Sequence, residues 1–224
     1  HAHFNPKDIP FLSLWIINTY FLIKIFQKLN NEKIISFKII LLFALSSAIL
    51  ISIRIVGVLI FMQYLIFFIV YFEITNKKIL SFIKLHKFNF INFILLTVLF
   101  TFILNPIFWH NPLELFNSLK WMGKYQQDIC TLTLGDCMKS LNLPSSYYFI
   151  WLFFKLPILI IIGLLIFPII EKKILNNSFN KIFIYSLLIT IASILILFIF
   201  FNVAVYDEIR HVMFLIPLLL LVSL

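Results

Sequence analysis

Apolar runs divided by short polar stretches recur along the whole chain. Several are long enough to cross a hydrocarbon layer about 30 Å thick as a helix of about 20 residues. The runs fall at 9–28, 37–53, 55–73, 90–108, 148–170, 181–203 and from 212 onward. The stretch from Ile39 to Phe72 is too long for one crossing and holds Arg54 and Gly57 near its middle. That arrangement predicts two spans joined by a tight turn at Arg54, with one long tilted or re-entrant helix as the alternative. The pattern as a whole predicts an all-α fold, a polytopic transmembrane helix bundle forming a single domain over residues 1–224, with about seven spans. Residues 105–147 form the largest segment outside the apolar runs. Within it, Leu113, Phe116, Leu119 and Trp121 recur with loosely helical spacing. This predicts a helix lying in the membrane interface, where Trp109 and Trp121 would be at home, or an ordinary helical cap over the bundle.

Composition supports the bilayer as solvent. Hydrophobic residues make up 62% of the chain and charged residues 12%, with a mean hydropathy of +1.08. A soluble domain carries about 25% charged residues, so this chain lacks the polar surface to cover a globule. The net charge of +9 does not point to nucleic acid, because its lysines sit in short loops between apolar runs. One set of loops holds Lys24, Lys28, Lys33 and Lys38, then Lys77, Lys78, Lys84 and Lys87, then Lys172, Lys173 and Lys181. These alternate along the chain with poorer loops and are predicted to be cytoplasmic by the excess of Lys and Arg. Residues 105–147 then become an extracytoplasmic loop. The chain opens at His1 without methionine or signal peptide, and its last apolar run, Leu215 to Leu224, is too short to finish a crossing. Both features predict a segment of a longer protein, truncated at each end.

Cys130 and Cys137 are the only cysteines, and both fall in the 105–147 loop with Gly135 between them. Gly135 would ease a tight hairpin. Outside the cytoplasm two nearby thiols usually pair, so a disulfide is expected, with two free thiols as the alternative. Two cysteines without a histidine partner make a poor zinc set. His1, His3, His110 and His211 fit no standard metal spacing, so no metal site is assigned, although the sequence leaves a divalent metal open.

Ionisable groups near or within a membrane are costly and mark function by default. Four places qualify. Lys7 and Asp8 stand just before the first run, either as a ligand-contacting lip with Asp8 as an acid or base, or as a polar helix start. Arg54 lies between two apolar runs, where it anchors to the surface or holds an anionic head group. Lys155 lies within YYFIWLFFKLPILII, where an amine needs a phosphate or carboxylate partner. The turn Tyr206–His211 holds Asp207, Glu208, Arg210 and His211, and either acid may be a simple exposed partner of Arg210. All four are predicted on the same side, where Lys7, Arg54, Lys155, Arg210 and His211 would suit a phosphate-bearing lipid. The chain has no Walker loop, Gly-rich dinucleotide turn, GxSxG or HExxH motif.

Four segments in order, HAHFNPKDIPF, NPIFWHNP, PSSYYFIWLFFKLPI and YDEIRHVMFLIP, carry a resemblance. The chain resembles the C-type glycosyltransferases, and within them the bacterial relatives of protein O-mannosyltransferases and of the lipid A aminoarabinose transferase. The resemblance implies an enzyme of the bacterial inner membrane. It would move a sugar from a polyprenyl-phosphate donor to a lipid or protein acceptor at the extracytoplasmic face. A carboxylate would serve as base, and basic residues would hold the leaving phosphate. By position it assigns donor-phosphate binding to Lys7, Lys155, Arg210 and His211, to which Arg54 is added from its place between two runs, and leaves Asp8 as a secondary catalytic acid. The main acid of such enzymes follows the first span and is expected upstream of His1. The Cys130–Cys137 loop departs from the family pattern. A transporter or flippase for lipids or small solutes is the rival reading, and a lipid-linked polysaccharide polymerase a further one.

Overall fold

The computed structural model describes residues 7–30, 35–121, 130–140, 143–175, 177–201, 203, 205 and 210–224. The chain is an all-α bundle of apolar helices. Four of them are long and apolar enough to cross a membrane: Asp8–Leu29, Ile55–Thr75, Phe82–Leu104 and Ser178–Phe200. Helices of this length and hydropathy mark an integral membrane protein.

Helix α1 runs Asp8–Asn30 and α2 runs Phe37–Ile53. The long apolar run does break at Arg54, whose backbone is extended (φ −147°, ψ 131°). A 3-10 turn, Ile55–Leu59, leads into α3, Ile60–Thr75. Gly57 makes this reversal possible. A Cβ there would stand 2.8 Å from the Leu50 carbonyl oxygen and 2.9 Å from the Ile51 nitrogen, both backbone atoms that cannot yield. Asn76 closes α3 in the left-handed region (φ 51°) and donates its N–H to the Phe72 carbonyl, a common helix ending.

Helix α4, Ile79–Leu104, begins earlier and ends earlier than the run 90–108 suggests. Its first turns include Lys84 and Lys87, because long amphipathic side chains tolerate a helix at a membrane edge. It stops where Pro106 holds Asn105 extended. Two short helices follow, α5 (Ile107–His110) and α6 (Glu114–Trp121). Leu113 and Phe116 lie exposed beside and on α6, as an interfacial helix requires. Strands β1 (Cys130–Thr133) and β2 (Asp136–Lys139) pair antiparallel, with Leu132 opposite Cys137. Leu134 and Gly135 turn the hairpin with φ of 54° and 93°. Cys130 and Cys137 are joined by a disulfide.

The run 148–170 is not one straight span. It divides into α7 (Ser146–Lys155) and α8 (Ile158–Ile174), bent by 111°. Pro157 is the reason: it lacks an N–H and forces Leu156 out of the helical region (φ −69°, ψ 136°). The bundle closes with α9 (Ser178–Phe200), a 3-10 turn over Arg210–Leu215, and α10 (Ile216–Ser223). Helix α2 and the Arg210–Ser223 pair are apolar but shorter than a full crossing.

Packing is aromatic. Trp15, fully buried, lies 4.3 Å from Phe214 between ring centres, tying α1 to the Arg210–Leu215 turn. Phe43 stacks on Phe93 at 4.7 Å, joining α2 to α4. Helix α10 meets α8 where a Cβ on Gly163 would stand 2.4 Å from the Ser223 carbonyl. Such close approach through a small residue is a common device between membrane helices.

The interior also carries a polar network that spacing did not announce. Asn18 Oδ1 accepts from the hydroxyls of Ser46, Ser47 and Tyr64, each at 2.9 Å. Gln63 Oε1 accepts from Trp15 Nε1 at 2.7 Å, and its Nε2 donates to Thr19 Oγ1 at 3.0 Å. Each of these six polar residues and Trp15 is almost fully buried. They satisfy one another across α1, α2 and α3, where lipid offers no alternative partner.

Candidate functional site

Three breaks in the helical structure meet at one end of the bundle. Asp8 is the first residue of α1, where the helix dipole favours an anion. Arg54 occupies the break between α2 and the following 3-10 turn, held by its N–H to the Leu50 carbonyl and by its own carbonyl accepting from Gly57. Arg210 opens the 3-10 turn before α10. Phe11 and Trp15 on α1 both pack on Phe214 of that turn, which brings Arg210 over the start of α1.

The two arginines clasp one carboxylate. Arg210 Nε donates to Asp8 Oδ2 at 2.5 Å across 202 residues of chain. Arg54 Nη2 meets Asp8 Oδ1 as an ion pair, without the alignment of a hydrogen bond. The Asp8 side chain is 2% exposed, whereas those of Arg54 and Arg210 are 20% and 26% exposed. The carboxylate is therefore sealed inside, and the guanidinium groups form the accessible side of the cluster.

This geometry changes the expectation for Asp8. The sequence suggests a surface lip with Asp8 as an acid or base. The structure instead buries the side chain and engages both oxygens with guanidinium groups. Phe11 and Trp15 packed on Phe214 bring Arg210 over the start of α1, and the two guanidinium partners offset the cost of burying the charge. Arg210 pairs with Asp8; Asp207 and Glu208 lie outside the described residues, as do His1 and His3.

Lys7 precedes Asp8 and is exposed, and His211 follows Arg210 and is half-buried. Both are thus carried to the cluster by the backbone. Lys155 is placed on another element, at the end of α7, with its ammonium 5.4 Å from the centre of the Trp151 ring. Trp151 in turn donates Nε1–H to Thr133 Oγ1 of the hairpin at 3.0 Å. Tyr148 fixes the start of α7 by donating to the Val203 carbonyl at 3.1 Å. The bend at Pro157 thus sets the Lys155 segment across the end of the bundle instead of within it.

Glu114 was not singled out from sequence. It stands on α6, which packs against the 3-10 turn beginning one residue after Arg54. Its Oε1 accepts from Asn111 Nδ2 at 3.1 Å and from Asn117 Nδ2 at 3.4 Å. Among the described residues no cation pairs with it. The NP…E spacing after α5 carried a faint signal, because Asn111 also accepts from the Leu113 N–H and fixes the start of α6. Among the described residues no group of three or more His, Cys, Asp or Glu is arranged to hold a metal ion.

Comparison with known proteins adds no name. The chain matches no family model, no curated protein and no solved structure.

Proposed function

We propose that this chain binds the phosphate of a lipid-linked donor at the Asp8–Arg54–Arg210 cluster, as part of a membrane glycosyltransferase. The donor in this reading is a polyprenyl-phosphate sugar, and the acceptor is a lipid or protein. The observation that carries it is the clasp itself. A buried carboxylate holds two partly exposed guanidinium groups in place at the accessible side of the cluster. Guanidinium forks match phosphate oxygens, and charge-assisted bonds of this kind are the strong ones.

In mechanism, Asp8 is a positioning residue and not an acid or base. Arg54 and Arg210 take the donor phosphate, with Lys7, His211 and Lys155 as further donors around it. When the bond between sugar and phosphate breaks, negative charge grows on the phosphate oxygens. Cations already fixed at that place stabilise the transition state more than the ground state. Glu114 is the carboxylate best suited to take the acceptor's proton, because among the described residues no cation pairs with it. The reaction then occurs at the extracytoplasmic face of a bacterial inner membrane, with about seven spans and the lysine-rich loops in the cytoplasm.

The test uses membranes containing the protein and a radiolabelled polyprenyl-phosphate sugar. Arg54→Gln and Arg210→Gln are each expected to raise donor KM by about ten- to a hundredfold, the loss of one charge-assisted bond. Donor handling unchanged in both variants, with the fold intact, overturns the reading in favour of a transporter or another lipid-handling protein.

A further inference from the structure

A groove of about 780 Å³ lies between α3 and α4, bounded also by the second half of α1 and by α2. It is unrelated to the Asp8 cluster: its α1 residues begin at Leu22, about 21 Å of helix beyond Asp8. Its floor is aromatic, with Phe43, Tyr64, Phe68 and Phe90 among its walls. Leu65 and Ile69 are 59% and 52% exposed at its edge, so it opens sideways, toward the hydrocarbon.

Its length and polarity are both graded. Along α3 it extends from Phe61 to Phe72, about 17 Å of helix, against about 15 Å for half of a bilayer's hydrocarbon core. It therefore matches one leaflet in depth. Its volume falls within the about 300–1,000 Å³ typical of ligand sites. Polar groups line the groove at Glu73, near the end of α3, and along α4 at His86, Lys87 and Asn89, between the levels of Phe82 and Phe90. Lys77, close enough to act electrostatically on His86, adds a second exposed cation there. Lys78 and Lys84 stand close by in sequence, and Glu73 is the one acid among the described residues that line the groove.

We propose that this groove is a binding site for one anionic phospholipid, its acyl chains between α3 and α4 and its phosphate held by Lys77 and Lys87. An apolar slot of one-leaflet depth closed by a cationic rim fits that molecule and no soluble anion. It differs from an annular lipid contact because the walls are concave and come from four helices. Basic pockets between membrane helices recognise acidic head groups through the same balance of charge and apolar contact.

The test is native mass spectrometry of the full chain released from micelles containing phosphatidylglycerol or phosphatidylcholine. One phosphatidylglycerol is expected to remain bound where phosphatidylcholine is stripped. Lys77→Gln with Lys87→Gln should weaken that retention about thirtyfold, two surface charges at their usual worth. Ile69→Trp, which fills the slot and keeps every charge, should also remove it. A phosphatidylglycerol carrying a photoreactive acyl chain should label residues 61–94. Equal retention of both lipids, retention unchanged in the lysine variant, labelling spread evenly over the helices, or preference for a polyprenyl phosphate would each overturn the assignment.

Discussion

Replacing Asp8 by asparagine keeps the size of the side chain and removes its charge. The two guanidinium groups now on its two oxygens would then face each other without that carboxylate between them. Two unit charges about 6 Å apart at an effective dielectric of about 20 repel by about 3 kcal/mol. Removing one partner of a buried ion pair costs about 3–5 kcal/mol in other proteins. The lower end applies here, because the arginine side chains stay 20% and 26% exposed and can turn toward water. Asp8→Asn should therefore destabilise the chain by about 3 kcal/mol. The assay is unfolding of the purified chain in mixed micelles with rising dodecyl sulfate, followed by tryptophan fluorescence in a variant whose other three tryptophans are replaced by phenylalanine, leaving Trp15 packed on Phe214 as the reporter. Removing Arg210 as well should recover part of the loss, so Asp8→Asn and Arg210→Gln should couple by more than about 1 kcal/mol, beyond the range of exposed pairs. A stability change within about 0.5 kcal/mol, or strict additivity, would refute the counter-ion reasoning. An Asp8→Asn variant of full stability and full donor binding but little turnover would return Asp8 to the role of acid or base.

Four further outcomes are expected. Asn18→Leu removes the acceptor shared by three hydroxyls and should cost about 1–2 kcal/mol in the same unfolding assay, given about 0.6 kcal/mol for an average interhelical bond in a membrane. Gly57→Ala should cost about 1–3 kcal/mol by overpacking and raise donor KM, because the displaced turn carries Arg54; a variant as stable as the parent would show that the turn yields. Glu114→Gln should lower turnover at least a hundredfold, the usual worth of a general base, while donor binding persists; unchanged turnover removes Glu114 from the chemistry. Cys130 and Cys137 should take up alkylating reagent only after reduction, read as a mass increase on the 130–139 peptide; labelling before reduction would contradict the bond.

The helices were legible because the bilayer imposes a simple rule on sequence. Long apolar runs become helices, and the breaks at Arg54 and Asn105 stand where a charge or an X-Pro pair interrupts them. The hairpin was legible too, since Gly135 between two close cysteines leaves few other local structures. What failed was geometry that depends on one proline. Pro157 was visible in the sequence, yet an apolar run continuing past it reads the same whether the chain stays straight or bends by 111°. The candidate residues Asp8, Arg54 and Arg210 were likewise visible one by one. Their meeting was not, because it depends on Phe11, Trp15 and Phe214 packing across more than 190 residues of chain. The Asn18–Ser46–Ser47–Tyr64 network escaped for a different reason. Single Asn, Ser and Tyr residues inside apolar runs carry no charge to draw notice, and their helical spacing is that of any buried face.

The cluster's place in the fold also bears on why it persists. A carboxylate and two guanidinium groups in an apolar bundle lose hydration, and well-packed hydrophobic side chains often serve stability as well or better. Here each of the three stands at a helix break, where the backbone is already at the edge of the bundle. Helix α1 offers its N-terminal dipole to Asp8, and the turns after Arg54 and Arg210 leave their outer nitrogens accessible. Burying the anion while exposing the cations is the reverse of what a simple anchor needs, since an anchor would turn its charge of either sign to water. It is what an anion site needs, because the buried carboxylate fixes the guanidinium groups before the ligand arrives. The proposed lipid groove at the other end differs: its cations are exposed lysines, Lys77 on the turn before α4 and Lys87 on α4 itself. The two ends of the bundle therefore differ in rigidity. The arginine end is suited to a group whose charge changes during reaction, and the lysine end to a lipid that only has to be held.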